Sequence, residues 1–269
     1  MSATEFGEGD AAQYYRVPVA TDDKYSRGVL GVATGSSTFP GAALLGVDGA
    51  LSTGIGMVRY SGPDSIGIAM VARRPEVVYD NGRVDAWVIG SGMASTDGEA
   101  MDRARFALSQ GIPSVVDAGA LSLLPLPGTI IATPHAGELA RALGVPREEV
   151  VENPAELTLI AASRWNATVV LKGSMTHIAT PAHEEFVVNL ATPWLATAGT
   201  GDVLAGIIGA LVASRRADID DDPALCARLA ATGVVIHSLA ARRASAGGPF
   251  LLDRLIAEIP AVVRGLIER

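Results

Sequence analysis

Short apolar runs recur along the chain between longer segments of mixed character. Runs of a few residues bounded by glycine, proline or polar residues are typical of buried strands. They predict strands at residues 28–34, 57–60, 76–79, 86–89, 114–116, 129–132, 168–171, 176–179 and 186–189. The last two flank Pro181 and predict a hairpin.

The segments between these strands carry apolar residues at helical spacing. They predict helices at residues 41–56, 97–110, 139–142, 155–165, 223–245, 251–258 and 261–268, a short helix around Ala120, and an apolar helix after residue 202. Pro40 suits the start of the first helix, and Thr96 with Glu99 fits a capping box at the second. Strands that alternate with helices predict an α/β fold with a central, mainly parallel sheet flanked by helices.

The domain organisation follows from the absence of a composition shift or an internal repeat. We expect one domain over residues 25–269, preceded by an irregular, polar lead-in at residues 1–24. The hydrophobic fraction of 49%, with 30 glycines and 5% aromatics, suits parallel strands covered by closely packed helices.

Charge and cysteine content exclude several function classes. The formal net charge of −8 argues against binding to nucleic acid. Cys226 is the single cysteine, which excludes an internal disulfide and predicts a reducing compartment. The longest apolar run, about residues 203–213, is shorter than the roughly 20 residues that a membrane span needs. With an acidic start that has no apolar core, we expect a cytoplasmic protein that does not bind membranes.

The turn at residues 198–201 is the strongest candidate for chemistry. Gly199, Thr200 and Gly201 precede Asp202 and an apolar helix. Backbone N–H groups at a helix N-terminus attract an anion, and the glycines allow a ligand to approach closely. Asp202 would then be a carboxylate beside a phosphate site, able to take a proton from a hydroxyl. The alternative is that Asp202 only caps its helix.

Other polar residues follow predicted strands, and ligands of open α/β sheets bind beyond the carboxyl ends of the strands. Lys172 and Gly173 suit a phosphate site, or Lys172 is an ordinary exposed residue at the sheet edge. His135 could hydrogen-bond a ligand, and Glu138 could hold a metal through water or be a first-turn acid favoured by the helix dipole. Asp117 could face a ligand or Mg²⁺-bound water, or could cap a helix.

The remaining candidates are weaker. Residues 90–92 form a glycine loop that is not a dinucleotide fingerprint, and His237 on an apolar helix is predicted to be a satisfied core histidine. Taken together, the anion site, the lysine and the glycine loops favour phosphoryl transfer from a nucleotide to a hydroxyl, usually with Mg²⁺. The sequence has no Walker A pattern, so this is not a P-loop protein.

An ordered set of these motifs resembles a known family. The set consists of residues 24–28, 35–36, 40–43, 90–92, 117–121, 133–138, 170–173 and 198–202. It is similar to the ADP- or ATP-dependent NAD(P)H-hydrate dehydratases, a branch of the ribokinase-like superfamily, over about residues 24–245. The sequence departs from the family pattern at four places, which are Ala33-Thr34, Ser91, Ala136 and the segment at residues 192–195 that contains Trp194.

The resemblance implies repair of hydrated NADH or NADPH. The ring hydroxyl would be phosphorylated from ADP or ATP, and phosphate would then leave. In the implied site, Asp202 is the base. The hydrate would be bound by Ala42, Gly92 (in the residue 90–92 loop), His135 and Asp202. The nucleotide would be bound by Gly201, Lys172, Gly173, Ser174, Met175 and Thr176. The family also implies a homotetramer and a separate epimerase in the same pathway. A vitamin- or thiazole-type alcohol kinase and a non-catalytic nucleotide sensor remain the alternatives.

Overall fold

The computed structural model describes residues 3–80 and 82–269. These residues form a nine-stranded sheet with helices on both faces. The strands are β1 (Thr4–Glu5), β2 (Val29–Ala33), β3 (Met57–Tyr60), β4 (Ala86–Ile89), β5 (Ser114–Val116), β6 (Ile130–Ala132), β7 (Thr168–Leu171), β8 (Thr176–Ala179) and β9 (Glu185–Val188). The helices are α1 (Glu8–Tyr14), α2 (Gly41–Thr53), α3 (Asp64–Arg73), α4 (Gly98–Ser109), α5 (Ala136–Leu143), α6 (Arg147–Glu152), α7 (Pro154–Trp165), α8 (Thr200–Ser214), α9 (Arg216–Asp221), α10 (Leu225–Ser245) and α11 (Leu252–Ile267).

The strand order confirms the predicted mainly parallel sheet. The order is β1-β9-β8-β7-β6-β5-β4-β2-β3, and β2 to β7 pair in parallel. The predicted hairpin is confirmed as the antiparallel pair β8 and β9. Because β2 to β7 are parallel, the loops that follow them emerge at the same edge of the sheet.

Side chains of the strands alternate between two apolar layers. In β2, Leu30 packs in one layer with α2, α8, α10 and α11, whereas Val29 packs in the other with α4, α5 and α7. In β7, Val170 and Val169 divide in the same way. Strands buried on both faces become continuous apolar runs in the sequence, which is why most of them could be predicted.

Helices α2 and α8 cross at very short range, and small residues permit it. A Cβ on Gly206 would lie 2.0 Å from the carbonyl oxygen of Gly46, and one on Gly49 would lie 2.6 Å from the carbonyl oxygen of Val203. No side chain fits between two backbones at that distance. The crossing fixes the N-terminus of α8, and therefore Asp202, against α2.

Gly206→Ala tests this packing. A methyl group at that position collides with the α2 backbone, so we expect a loss of about 1–3 kcal/mol in the free energy of unfolding. Gly9→Ala in α1 is the control, because a Cβ there meets nothing within 4 Å. The control should be neutral or slightly stabilising. Chemical denaturation of both variants gives the comparison, and equal stability of Gly206→Ala and the parent would contradict the packing argument.

Four sequence predictions about local structure were wrong. The lead-in at residues 1–24 is irregular only in part, because β1 pairs with β9 and α1 buries Ala11 against α10; residues 1 and 2 lie outside the described residues. Residues 76–79 make no strand but a single bridge between Val78 and Arg59. Asp97, not Thr96, caps α4 and accepts a hydrogen bond from the Ala100 amide. The two helices predicted around Pro260 are one helix, α11.

In helix α11, the burial of apolar side chains outweighs the tendency of Pro260 to break a helix. Proline inside a helix removes a backbone hydrogen bond and usually breaks or bends the helix. Buried side chains continue on both sides of Pro260, from Leu255 and Ile259 to Val263 and Leu266. This apolar stripe packs against α10, and the helix continues through Pro260.

Helix α10 is long and apolar enough to cross a membrane by length and composition, with 83% of its apolar window buried inside the fold. It lies against α8, α11 and α1. Its apolarity is therefore accounted for by a central position in the core.

Candidate active site

The loops after β5, β6 and β7 border a cavity of about 600 Å³. Most of the predicted site residues line it, namely His135, Glu138, Lys172, Gly173, Ser174, Thr176, Gly199, Thr200, Gly201, Asp202 and Asp117. Met175, which was predicted to bind nucleotide, is exposed and does not line the cavity. Residues 191–193 and 195–198, together with Val234, His237 and Ser238 of α10, also line the cavity.

Asp202 lies at the N-terminal end of α8 and borders the cavity. Gly199 is the N-cap residue, with φ of +92°, so Asp202 stands three positions into the helix. A Cβ on Gly199 would lie 2.7 Å from Leu45 and Leu252, so the turn needs a glycine for space as well as conformation. Burial, reinforced by the charge of Asp117, raises the pKa of Asp202 to about 6, although Lys172 and a hydrogen bond from Ser91 act in the opposite direction.

Lys172 is not an ordinary edge lysine, because it forms an ion pair with Asp117. Lys172 Nζ lies 2.7 Å from Asp117 Oδ1, and the Asp117 side chain is 4% exposed. Burial lowers the pKa of Lys172, but the carboxylates of Asp117 and Glu138 outweigh it and the pKa is raised overall. For Asp117, burial raises the pKa, but the charge of Lys172 and the hydrogen bonds from Lys172, Thr133 and Ser91 together outweigh burial, so the pKa is lowered overall. Both partners are therefore ionised at neutral pH.

The Lys172 ammonium also reaches the first turn of α8. A Cβ on Gly201 would lie 3.3 Å from Lys172 Nζ, so this glycine leaves the ammonium room at the helix N-terminus. The positive end of the helix dipole and a lysine thus meet at one wall of the cavity. This combination suits a phosphate group.

His135 and Glu138 cap the N-terminus of α5. His135 Nδ1 accepts hydrogen bonds from the amides of Gly137 and Glu138, and Glu138 Oε2 accepts one from the His135 amide. Glu138 is therefore an acid in the first turn of α5, as one of its two interpretations predicted. Its other oxygen, Oε1, lies 3.5 Å from His135 Nε2, and both residues border the cavity.

Ala42 and Gly92 lie together but outside the lining of the cavity. Gly92 has φ of +67°, and a Cβ there would lie 2.6 Å from the Cβ of Ala42. The loops that carry them are joined by a hydrogen bond of 2.7 Å from the Gly35 amide to the Ser91 carbonyl. The residues predicted to bind the hydrate thus form two groups, with His135 and Asp202 at the cavity and the other two at the α2 N-terminus.

Sequence reasoning missed several polar residues of this site. Ser91 and Thr133 donate hydrogen bonds to Asp117, at 2.9 Å and 2.8 Å. His237 is buried as predicted, but it borders the cavity, and its Nε2 has no hydrogen-bond partner within the described residues, so it is not satisfied. Burial lowers the pKa of His237 to about 4, which keeps it neutral.

Trp194 was predicted as the departure that could narrow the pocket. It lies in a short 3₁₀ turn (Pro193–Leu195), is 43% exposed and does not border the cavity. Its neighbours Pro193 and Leu195 supply apolar wall instead. Side chains in a tight turn point in different directions, and the sequence alone does not show which of these residues faces the cavity.

Comparison with known proteins decides the family. The model of the NAD(P)H-hydrate dehydratase family matches residues 30–260. An ADP-dependent (S)-NAD(P)H-hydrate dehydratase of Xanthomonas campestris is 33% identical over 277 residues, which cover 94% of this chain and 92% of the relative. This chain belongs to the NAD(P)H-hydrate dehydratase family.

Larger members of the dehydratase family are also similar. The bifunctional NAD(P)H-hydrate repair enzyme Nnr of Mycobacterium tuberculosis is 41% identical over 223 residues, which cover 78% of this chain and 46% of the relative. The chain therefore spans about half the length of these relatives.

Solved structures share the fold of this dehydratase-family chain. The ADP/ATP-dependent NAD(P)H-hydrate dehydratase of Bacillus subtilis, co-crystallised with ATP and Mg²⁺, has a TM-score of 0.88 and 28% identity, with 99% of each chain covered. A ribokinase-like superfamily protein of Enterococcus faecalis has a TM-score of 0.87 at 21% identity, with coverage of 99% of this chain and 97% of that one, so it shows the fold alone. The predicted ribokinase-like fold is confirmed.

Proposed function

We propose that this chain converts the hydrated form of NADH or NADPH back to the reduced dinucleotide, with ADP or ATP as phosphoryl donor. The observation that carries the proposal is a carboxylate with a pKa raised to about 6 at a glycine-lined helix N-terminus, with a lysine beside that terminus in the same cavity. Membership of the family names the substrate class. The printed names of the relatives support an adenine nucleotide as co-substrate.

Asp202 is the base for the first step. Its carboxylate takes the proton of the ring hydroxyl, and the hydroxyl oxygen attacks the terminal phosphorus of the nucleotide. The bond from that phosphorus to the leaving AMP or ADP breaks. A carboxyl with a pKa near 6 is ionised at neutral pH and still basic enough to accept this proton. The phosphorylated carbon then loses inorganic phosphate, and loss of a proton from the neighbouring carbon restores the double bond.

The residues around α8 hold the phosphates. The amides of Gly199 and Gly201 and the helix dipole would face the developing negative charge, and Lys172 adds a fixed cation. Thr200 Oγ1 is engaged with the carbonyls of Leu195 and Thr197, which fixes the preceding loop. The more apolar wall formed by Leu195, Val234 and Leu204 suits a nucleotide base.

Mg²⁺ fits this site as a partner of the phosphates. Across residues 3–80 and 82–269, no group of three or more His, Cys, Asp or Glu side chains is close enough to hold a metal ion. Mg²⁺ commonly takes one or two carboxylates, water and substrate phosphates rather than a protein cage. Glu138, through water, is the carboxylate that would approach it, and the ion would neutralise phosphate charge.

The cellular setting is part of the proposal. We propose a cytoplasmic homotetramer, as the family resemblance implies. We also propose an epimerase acting in the same pathway, since the longer relatives are named as bifunctional repair enzymes. Size-exclusion chromatography with light scattering measures the oligomeric state. A monomer at micromolar concentration would contradict the tetramer.

Product analysis separates the dehydratase from an alcohol kinase. Phosphorus NMR of the protein with hydrated NADH, ADP and Mg²⁺ should show one inorganic phosphate released for each AMP formed, without a lasting phosphate ester. A stable phosphorylated alcohol with no free phosphate would favour the kinase. Nucleotide binding that raises Tm without any turnover would favour the sensor.

A further inference from the structure

The segment at residues 191–198 precedes α8 in the chain and borders the cavity. All of its eight residues except Trp194 line the cavity. The lining side chains are those of alanine, threonine, proline and leucine, and none of them carries a charge. An uncharged and mainly apolar surface beside a phosphate site suits the nucleoside part of a nucleotide.

The hydroxyl of Thr200 joins this segment to α8. Thr200 is the first residue of α8 and is 8% exposed. Its Oγ1 lies 3.0 Å from the carbonyl oxygen of Leu195 and 2.9 Å from that of Thr197, so its proton can be donated to either one. Thr197 Oγ1 donates in turn to the Trp194 carbonyl at 3.1 Å. Two threonine hydroxyls therefore hold the carbonyl groups of the segment.

Burial contributes little to the position of the segment. None of its eight residues is buried, and five are exposed. Its own backbone hydrogen bonds are local, such as the one of 3.0 Å from the Leu195 amide to the Thr192 carbonyl. A segment with little buried surface and local hydrogen bonds opens at a low cost in free energy. Helix α8 is buried along most of its length, so the Thr200 hydroxyl links the segment to a firmly packed element.

We propose that Thr200 is a positioning residue for the nucleotide, its hydroxyl holding the segment at residues 191–198 as the wall against which the nucleoside lies. The phosphates lie at the N-terminus of α8, beside Lys172, and the nucleoside extends along the segment. The same hydroxyl occupies the carbonyl oxygens of Leu195 and Thr197, which would repel a phosphate if they turned toward it. This inference rests on the proposed function, in which an adenine nucleotide occupies the cavity.

Thr200→Val tests the proposal through a comparison of ADP with pyrophosphate. Valine keeps the branched shape of threonine and removes the hydroxyl. The affinity for ADP should fall about five-fold, the usual effect of one lost hydrogen bond. Pyrophosphate has no nucleoside, so its affinity should change by less than about two-fold. Thr200→Ser keeps the hydroxyl and should bind ADP like the parent. Calorimetry with Mg²⁺ present measures each affinity.

Trp194 reports on the position of the segment without turnover. It is 43% exposed, whereas the other two tryptophans, Trp87 and Trp165, are 2% and 3% exposed. Quenching of fluorescence by acrylamide therefore reports mainly on Trp194, and Trp194→Phe checks that assignment. Thr200→Val should be quenched more than the parent, because the segment has lost its link to α8. Thr200→Ser should be quenched like the parent.

Thr158→Val is the matched control. Thr158 is 1% exposed and its hydroxyl also donates to a backbone carbonyl, that of Pro154, but it lies on α7 and does not border the cavity. The control should keep the ADP affinity and the quenching of the parent. Thr197→Val removes the bond to the Trp194 carbonyl without altering α8, so it tests the segment even if Thr200→Val does not fold. It should show more quenching and weaker ADP binding than the parent.

Parent-like ADP affinity and quenching in Thr200→Val and Thr197→Val would overturn the proposal, as would a parent that binds no ADP. An equal loss of affinity for ADP and pyrophosphate would also overturn it, because Thr200 would then act on the phosphate site rather than on the wall. None of these measurements uses hydrated NADH. A failure of the proposed dehydratase reaction is therefore seen separately, as absence of turnover in a protein that binds ADP.

Discussion

Asp202→Asn should lower dehydratase turnover by about 10²–10⁴-fold while adenine nucleotide still binds. The amide keeps the shape of the carboxylate but cannot accept the proton of the substrate hydroxyl. Nucleotide binding should persist, since the glycine turn and Lys172 are unchanged. Steady-state kinetics and calorimetry with ADP measure the two properties. Undiminished turnover in the variant would remove Asp202 from the mechanism.

The same substitution should stabilise the fold, in a way that depends on pH. The pKa of Asp202 is raised from 3.8 to about 6 in the folded protein, so its stability contribution is full below about pH 4 and is lost as pH rises through 6. Asparagine does not ionise, so the variant does not lose this stability as the pH rises. We expect Asp202→Asn to match the parent near pH 4 and to exceed it above pH 7 by at most about 3 kcal/mol, or several degrees in Tm.

Asp102→Asn serves as the control for this stability effect. Asp102 is 79% exposed, so the same change of charge should leave Tm nearly unaltered at every pH. Thermal scans of the parent and both variants between pH 4 and 8 give the comparison. A gap between Asp202→Asn and the parent that stays constant with pH would contradict the raised pKa.

Lys172→Met should destabilise the protein by about 3–5 kcal/mol and weaken nucleotide binding. Methionine fills similar space but leaves the Asp117 carboxylate buried without its cation. Thr133 and Ser91 still donate to Asp117, yet neither neutralises its charge. Urea denaturation and calorimetry with ADP measure the two effects. A variant as stable as the parent would show that the pair is not needed for folding.

The double variant Asp117→Asn with Lys172→Met separates the two roles of the lysine. Asparagine keeps hydrogen bonds with Ser91 and Thr133 and removes the unpaired charge. Stability should therefore recover most of the way, because the coupling between the two positions is large. Nucleotide affinity should stay low, since the cation at the phosphate site is still missing. Recovery of both properties would mean that Lys172 is structural.

The fold could be predicted where burial leaves a simple pattern. Most strands from β2 to β8 are apolar runs because both faces of this part of the sheet are covered, and β3, β4, β5, β7 and β8 have the predicted bounds. Helix α1 was missed because it is seven residues long and is held by packing against α10 rather than by its own sequence. Pro260 led to the wrong prediction of a helix break, because tertiary packing keeps α11 helical on both sides of the proline.

The location of the site and most of its residues could be predicted, but the ion pairs and hydrogen bonds between those residues could not. The rule that ligands lie beyond the carboxyl ends of parallel strands placed Asp202, Lys172 and His135 at one cavity. The ion pair of Lys172 with Asp117 joins residues 55 positions apart, and it depends on β5, β6 and β7 being neighbours in the sheet. Ser91 stood out in the sequence only as a departure from the family pattern. Its hydrogen bond to a buried acid requires coordinates.

Recovery of reduced nicotinamide absorbance is the most direct test of the proposed function. Purified hydrated NADH is incubated with the protein, Mg²⁺ and either ADP or ATP, and the absorbance band of the reduced ring is followed with time. We expect recovery that requires a nucleotide and the protein and that is lost with Asp202→Asn. No recovery from hydrated NADH or hydrated NADPH with either nucleotide, using folded protein that binds ADP, would contradict the account.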